Sequence, residues 1–105
     1  MTDCLYCNIS RKLVPAKIIY EDDDILALSK DESKSKIHFV IIPKIHIESM
    51  LFLEDKHQLL MGKIMLKANE IAKSLGLDGY KVVIHTGAIG GQINFHLHVH
   101  VKSGK

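Results

Sequence analysis

Short apolar runs bounded by charged and turn-forming residues dominate the first half of the chain. Lys17-Ile18-Ile19-Tyr20 and Ile25-Leu26-Ala27-Leu28 read as two strands, with Glu21-Asp22-Asp23-Asp24 as a solvated hairpin turn between them. These consecutive acids lack the ligand spacing of a calcium loop. A polar loop, Lys30 to Lys36, leads into a third strand, Ile37 to Ile42, which Pro43 closes. The period then changes. Leu60, Ile64, Ala68, Ile71 and Leu75 recur at helical spacing and predict a helix from Leu53 to Leu75. Gly62 weakens that helix without breaking it, and Gly76 ends it as a left-handed cap. Tyr80 to His85 reads as a fourth strand and Phe95 to Lys102 as a fifth, while residues 4–13 form a short helical turn that ends near Pro15. The order predicts an α+β domain: an antiparallel five-stranded sheet, one long helix on its apolar face, and a short N-terminal helix.

Composition adds little to this outline. The chain of 105 residues is expected to be a single domain, 1–105, with a modest core. A net charge of +2 gives no argument for nucleic acid, Arg11 is the only arginine, and the lysines are scattered along the sequence. No nucleic-acid partner is expected. No apolar run reaches membrane-spanning length, and the N-terminus has no basic segment followed by an apolar one, so a cytoplasmic protein without a membrane partner is expected. Cys4 and Cys7 are the only cysteines, which excludes a framework of several disulfides.

The candidate chemistry lies in the last strand. In Phe95-His96-Leu97-His98-Val99-His100-Val101, alternation puts His96, His98 and His100 on one face and Phe95, Leu97, Val99 and Val101 on the other. Three imidazoles in register are hard to satisfy as core residues, because each ring nitrogen needs a partner. The glycine-rich loop Thr86-Gly87-Ala88-Ile89-Gly90-Gly91-Gln92 runs into that strand, and glycines let backbone amides approach an anion closely. Together these point to phosphate, with imidazole as a nucleophile that splits one hard displacement into two easier ones. Cys4-Leu5-Tyr6-Cys7 has the spacing of half a zinc site or of a redox pair, and it is also compatible with two unligated thiols.

Gly90-Gly91-Gln92, two residues, then Phe95-His96-Leu97-His98-Val99-His100-Val101 resembles the signature of the histidine triad nucleotide-binding proteins. Three further blocks are similar to that family in order and separation: Pro15 to Asp23, His38 to Lys44 with His46-Ile47, and Leu75 to Tyr80. The resemblance implies a histidine triad fold that pairs into a homodimer and acts at the α-phosphate of purine nucleotides. Phosphoramidates or dinucleoside polyphosphates would be hydrolysed through a nucleotidyl-histidine. It implies His98 as the nucleophile, with His100 and His38 contacting the phosphate. Gly91 and Gln92 would lie on the phosphate loop, His85 near the phosphate, and Tyr6, Ile9 and Leu28 around the base. It also implies a structural zinc held by Cys4, Cys7, His46 and His96, with no metal needed for the chemistry.

Four positions depart from the family pattern. Ile93 stands where relatives often carry a hydroxyl, Lys30 where many carry the Asp that holds the ribose, and His85 where many carry Asn. Lys102 interrupts the apolar end of the motif. Two other readings stay open at this point. One is a nucleotide-binding regulator with little turnover; the other is a metal-dependent hydrolase with His96 and His98 as ligands.

Overall fold

Cys4 opens the first helix. Its Sγ accepts the backbone N–H of Cys7 at 3.4 Å, so the thiol caps α1 (Leu5–Ser10). Tyr6, Cys7 and Ile9 face inward from this single short helix. The structure is a computed structural model that describes residues 2–30 and 36–104. Most of the polar loop expected over Lys30 to Lys36 lies outside the described residues.

Strands β1 (Ile18–Glu21) and β2 (Ile25–Ser29) pair antiparallel, as the alternation predicts. Asp22 shapes the acidic turn. Its Oδ1 accepts the N–H groups of Asp24 at 2.8 Å and Ile25 at 3.0 Å, and Lys63 pairs with both Asp22 and Asp24. β3 (Ile37–Pro43) follows β2, and β4 (Lys81–Val83) and β5 (Val99–Ser103) complete a five-stranded antiparallel sheet in the order β1-β2-β3-β5-β4.

The sheet buries both faces, which explains the unbroken apolar runs of β2 and β3. One face carries Ile25, Ala27, Phe39, Ile41, Val99 and Val101 against Ile64 and Ala68 of the long helix. The other packs Leu26, Leu28, Val40 and Ile42 against Tyr6 and Ile9 of α1. His38, His98 and His100 share parity with this second face.

The long helix is shorter than its apolar spacing suggests. α2 spans Gln58–Ser74, and two single 3₁₀ turns, Met50–Phe52 and Asp55–His57, precede it. Ser49 accepts the N–H of Leu51 at 3.1 Å, and His57 Nδ1 accepts the N–H of Glu54 at 2.9 Å. These side-chain bonds compete with continuous helix and break the segment into turns. The buried stripe is Ile64, Ala68 and Ala72; Leu75 caps the helix and is exposed, so it is not part of the stripe. Gly76 has φ 75°, as expected of a left-handed cap.

The last strand is also shorter than predicted. Alternation runs through residues 95–98, but the ladder begins at Val99. β3 ends at Pro43, which has no N–H to extend the pairing. Leu97 N–H instead donates to Ile47 O at 2.6 Å. Leu97 is buried as expected, whereas Phe95 is exposed. The fourth strand is likewise shorter than predicted and spans Lys81–Val83.

Candidate active site and metal centre

Carbonyl oxygens of the backbone set the imidazoles of the motif. His98 Nδ1–H donates to His96 O at 2.7 Å, which leaves Nε2 as the atom with an available lone pair. Burial, the largest cause, lowers the pKa of His98 and keeps the ring neutral; a hydrogen bond to His96 opposes this and the Lys30 charge adds to it. Tyr6 packs against the ring, with centroids 5.0 Å apart, and the Lys30 ammonium lies 5.7 Å from the Tyr6 centroid.

His98 is one of a cluster of imidazoles on the α1 face. His100 lies 4.8 Å from it by ring centroid, His38 lies 5.1 Å from His100, and His85 lies 5.4 Å from His100. A hydrogen bond of 2.9 Å joins His38 Nε2 and His100 Nδ1. His85 Nδ1–H donates to Gly90 O at 3.2 Å. Burial, then the neighbouring imidazoles, pushes the pKa of His100 down to about 4. At neutral pH His98 and His100 are therefore neutral imidazoles, and His98 offers a nucleophilic lone pair. Tyr6, Ile9 and Leu28, expected around a base, are buried in the second core beside this cluster.

The glycine-rich loop is built differently from an open nest. The N–H groups of Gly90 and Gln92 donate to Gly87 O, and that of Gly91 donates to Ala88 O, so those amides close the turn and are not offered to an anion. Gln92 is buried and its amide is fully committed. Oε1 accepts Gly87 N–H at 2.9 Å, while Nε2 donates to Glu48 O at 2.7 Å and Asn94 O at 2.9 Å. Gln92 is thus a strut that fixes the loop. A Cβ on Gly90 would sit 2.2 Å from Thr86 O, which explains the glycine. Ile93 projects into solvent, 86% exposed.

His96 turns away from His98 and joins a second constellation. Its Nε2–H donates to Pro43 O at 2.8 Å, so Nδ1 is unprotonated. That nitrogen lies 3.2 Å from Cys4 Sγ, 3.5 Å from Cys7 Sγ and 3.2 Å from His46 Nδ1; Cys7 Sγ and His46 Nδ1 are 3.3 Å apart. A tetrahedral zinc with Zn–S of about 2.3 Å and Zn–N of about 2.05 Å places N···N at about 3.3 Å and S···N at about 3.5 Å. The ligand atoms of Cys4, Cys7, His46 and His96 all lie within 4.8 Å of one another, so the set can hold a metal ion. Burial, the first cause, raises the Cys7 pKa and lowers that of His96 to about 4. A cation would offset the first effect and suit the second. His98 is not among these ligands, so the expectation of a metal bound by His96 and His98 does not match the arrangement.

The sequence brings the right residue types to each site but does not show what orients them. The carbonyls of Pro43, His96 and Gly90 fix the rings, and a carbonyl leaves no mark in a residue pattern. Among the described residues, no helix is long and apolar enough to cross a membrane.

Comparison with known proteins agrees with this geometry. The chain is 43% identical over 102 residues to Protein HitA of Neisseria gonorrhoeae, covering 96% of this chain and 95% of that one. It superposes on a crystal structure of a HIT family hydrolase from Legionella pneumophila Philadelphia 1 with a TM-score of 0.92 and 33% identity, covering 98% of this chain and 94% of that one. A Zn-bound histidine triad family protein from Mycobacterium smegmatis gives a TM-score of 0.78 at 27% identity, covering 94% of this chain and 73% of that one. The HIT domain family description matches residues 11–105. The chain belongs to the HIT domain family.

Proposed function

We propose that the chain is a single-domain hydrolase that acts at the α-phosphate of a purine nucleotide, with His98 as nucleophile. The observation that carries this reading is the tautomer of His98. Its Nδ1–H is held by His96 O, so Nε2 keeps a neutral lone pair, with His100 alongside the ring and His38 and His85 beyond. Nε2 forms a bond to phosphorus as the bond to the leaving group breaks and that group departs with the electron pair. An amine leaving group takes its proton from solvent. Water then attacks phosphorus, the P–N bond breaks, and His98 recovers its lone pair. His100, paired with His38, borders the phosphoryl oxygens, and Gly91 and Gln92 hold the loop that backs His85. Tyr6, Ile9 and Leu28 form the apolar floor for the base. The Legionella relative's description as a hydrolase supports the reaction class.

Cys4, Cys7, His46 and His96 would hold a structural zinc, a reading supported by the Zn-bound Mycobacterium smegmatis relative. When bound, the ion ties α1 to the chain after β3 and to the start of the histidine segment. A set of four protein ligands leaves no open position for substrate. Two thiols that stay available for a metal suit a reducing, cytoplasmic compartment. A homodimer is supported by the apolar face that α2 turns away from the sheet, where Leu59 is 90% and Leu66 74% exposed.

One sequence departure favours a second reading, a nucleotide-binding regulator with little turnover: Ile93, which projects into solvent, replaces the hydroxyl that related sequences often carry. The test compares His98→Ala with the unmodified protein. Turnover of an adenosine phosphoramidate should disappear while AMP binding persists. Near-normal turnover in His98→Ala overturns the covalent mechanism, and AMP binding without turnover in the unmodified protein favours the regulator.

A further inference from the structure

One permanent charge borders the nucleophile without a role in its chemistry. Lys30 follows β2, and its backbone N–H donates to His38 O at 2.8 Å, one step past the Ser29–Phe39 pair. Residues two apart on a strand share a face, so Lys30 leaves the sheet on the side of Leu26 and Leu28, which pack against α1. Its ammonium lies 5.7 Å from the centroid of the Tyr6 ring, and that ring packs on His98 with centroids 5.0 Å apart. The first distance is near the outer limit of about 6 Å for a cation over an aromatic face, so the ring orients the ammonium and leaves its N–H donors available. Lys12, Lys44, Lys56, Lys63 and Lys67 all have acidic partners, whereas among the described residues no carboxylate pairs with Lys30. Lys30 is half-buried, so its charge is only partly screened by solvent.

The sugar of a nucleotide joins its base to its α-phosphate. Tyr6 spans the same interval, since it belongs to the apolar floor and also touches the nucleophile. A group held over Tyr6 therefore borders the sugar. An unmodified ribose gives an ammonium little to bind. A pair of hydroxyls is best held by a carboxylate, which accepts both protons, whereas an ammonium only donates and is costly to desolvate. A phosphate ester on the sugar offers opposite charge and several acceptor oxygens. Dinucleotide-binding sites draw the same distinction, with an acid on the free hydroxyl and a cation on the 2′-phosphate. We propose that Lys30 makes the sugar side of this site a phosphate subsite, so that the preferred nucleotide carries a phosphate on its 2′- or 3′-hydroxyl. The proposal rests on the reading of His98 as the nucleophile at the α-phosphate and of Tyr6 as part of the base floor. The sugar phosphate is bound and not cleaved. Lys30 is a specificity residue, and the bond that breaks is still the one from the α-phosphorus to its leaving group.

The test is equilibrium binding, at one fixed ionic strength, of AMP, adenosine 2′,5′-bisphosphate, adenosine 3′,5′-bisphosphate and α,β-methylene-ADP. The last resists cleavage and carries its second phosphate at the 5′ end, so it controls for general attraction. One additional charge-assisted hydrogen bond is worth about tenfold in affinity. One of the two sugar bisphosphates should bind at least about tenfold tighter than AMP, and which one does so assigns the 2′ or the 3′ position. Lys30→Gln should bring that bisphosphate to the affinity of AMP, with the ratio of α,β-methylene-ADP to AMP changed by less than about twofold. Lys30→Arg should retain the preference, and Lys30→Asp should turn it into a preference for AMP. Equal affinity of AMP and both bisphosphates for the unmodified protein overturns the proposal and leaves the α-phosphate reading intact. A bisphosphate preference that survives in Lys30→Gln overturns the assignment to Lys30. An equal fall of the bisphosphate and α,β-methylene-ADP ratios in that variant overturns it as well, since it means general attraction and not a subsite. Failure of all four ligands to bind overturns the underlying reading and the proposal with it.

Discussion

Replacing Gln92 with Ala separates a strut from a ligand. Resemblance alone would place this residue against phosphate, yet its side-chain amide is buried and spent on Gly87 N–H, Glu48 O and Asn94 O. Removing it deletes three hydrogen bonds, each with a net value of about 0.5–1.5 kcal/mol, so the loss of stability should be about 1.5–4.5 kcal/mol. The lower end applies if water enters and bonds the freed groups, the upper end if Gly87 N–H stays dry. Gln92→Glu tests the sign of the contacts. A carboxylate can still accept from Gly87 N–H, but it faces two carbonyl oxygens that it cannot donate to. It should be at least as destabilising as Ala. Urea unfolding at constant protein concentration gives the stability, and AMP titration of the folded variants gives the binding. The expected result is a clear drop in the unfolding midpoint, with AMP affinity falling by about tenfold or less as the loop around His85 slackens. Unchanged stability within about 0.5 kcal/mol together with lost AMP binding would show that the amide is a ligand and not a strut.

The other expectations concern the metal, the assembly, the loop and pH. Metal analysis of protein purified without added zinc should find one zinc per chain, and Cys4→Ser should lower thermal stability more than the chemical rate; an empty site at full stability counts against this. Light scattering at micromolar concentration should give a dimer, with the apolar surface of α2 and β4 covered, and a monomer alone would contradict it. Ile93→Ser should speed hydrolysis of an amine-leaving substrate more than that of an acid-leaving one, and equal effects on both would show that a hydroxyl is not what the site lacks. His100 has its folded pKa lowered to about 4, below the ordinary value of 6.5, so the folded state disfavours its protonation. Its contribution to stability is complete above pH 6.5 and declines as pH falls from there toward about 4. His100→Asn should flatten the stability profile over that window, and an unchanged profile would contradict the assignment.

Legibility in the sequence followed physical cause. β2 and β3 could be read because burial on both faces demands continuous apolar runs. The metal set was legible only through the family resemblance, because the Cys4–Cys7 spacing alone suits a zinc half-site, a redox pair or unligated thiols and nothing local joins it to His46 and His96. The start of α2 could not be read, because apolar positions from Leu53 onward keep helical spacing while Ser49 and His57 divert nearby N–H groups into 3₁₀ turns. The last strand was overextended for a similar reason. Alternation describes a strand's own faces and says nothing of where its partner stops, and here β3 stops at Pro43. The glycines of the loop correctly signalled an unusual backbone, with φ of 70° at Gly87 and 89° at Gly91. They did not reveal that the amides of Gly90, Gly91 and Gln92 are consumed inside the turn. The placing of Lys30 over Tyr6 depends on strand register and on the docking of α1, which no local pattern contains.

A covalent bond between His98 and the nucleotide is the step from which the rest of the chemistry follows. It is best sought by rapid acid-free quenching of a single turnover with an adenosine phosphoramidate, followed by peptide-resolved mass spectrometry. One adenylyl group per active chain should be found on His98, appearing before AMP and absent from His98→Ala. Release of AMP at full rate with no adduct, or an adduct on another histidine that survives in His98→Ala, would contradict the covalent mechanism.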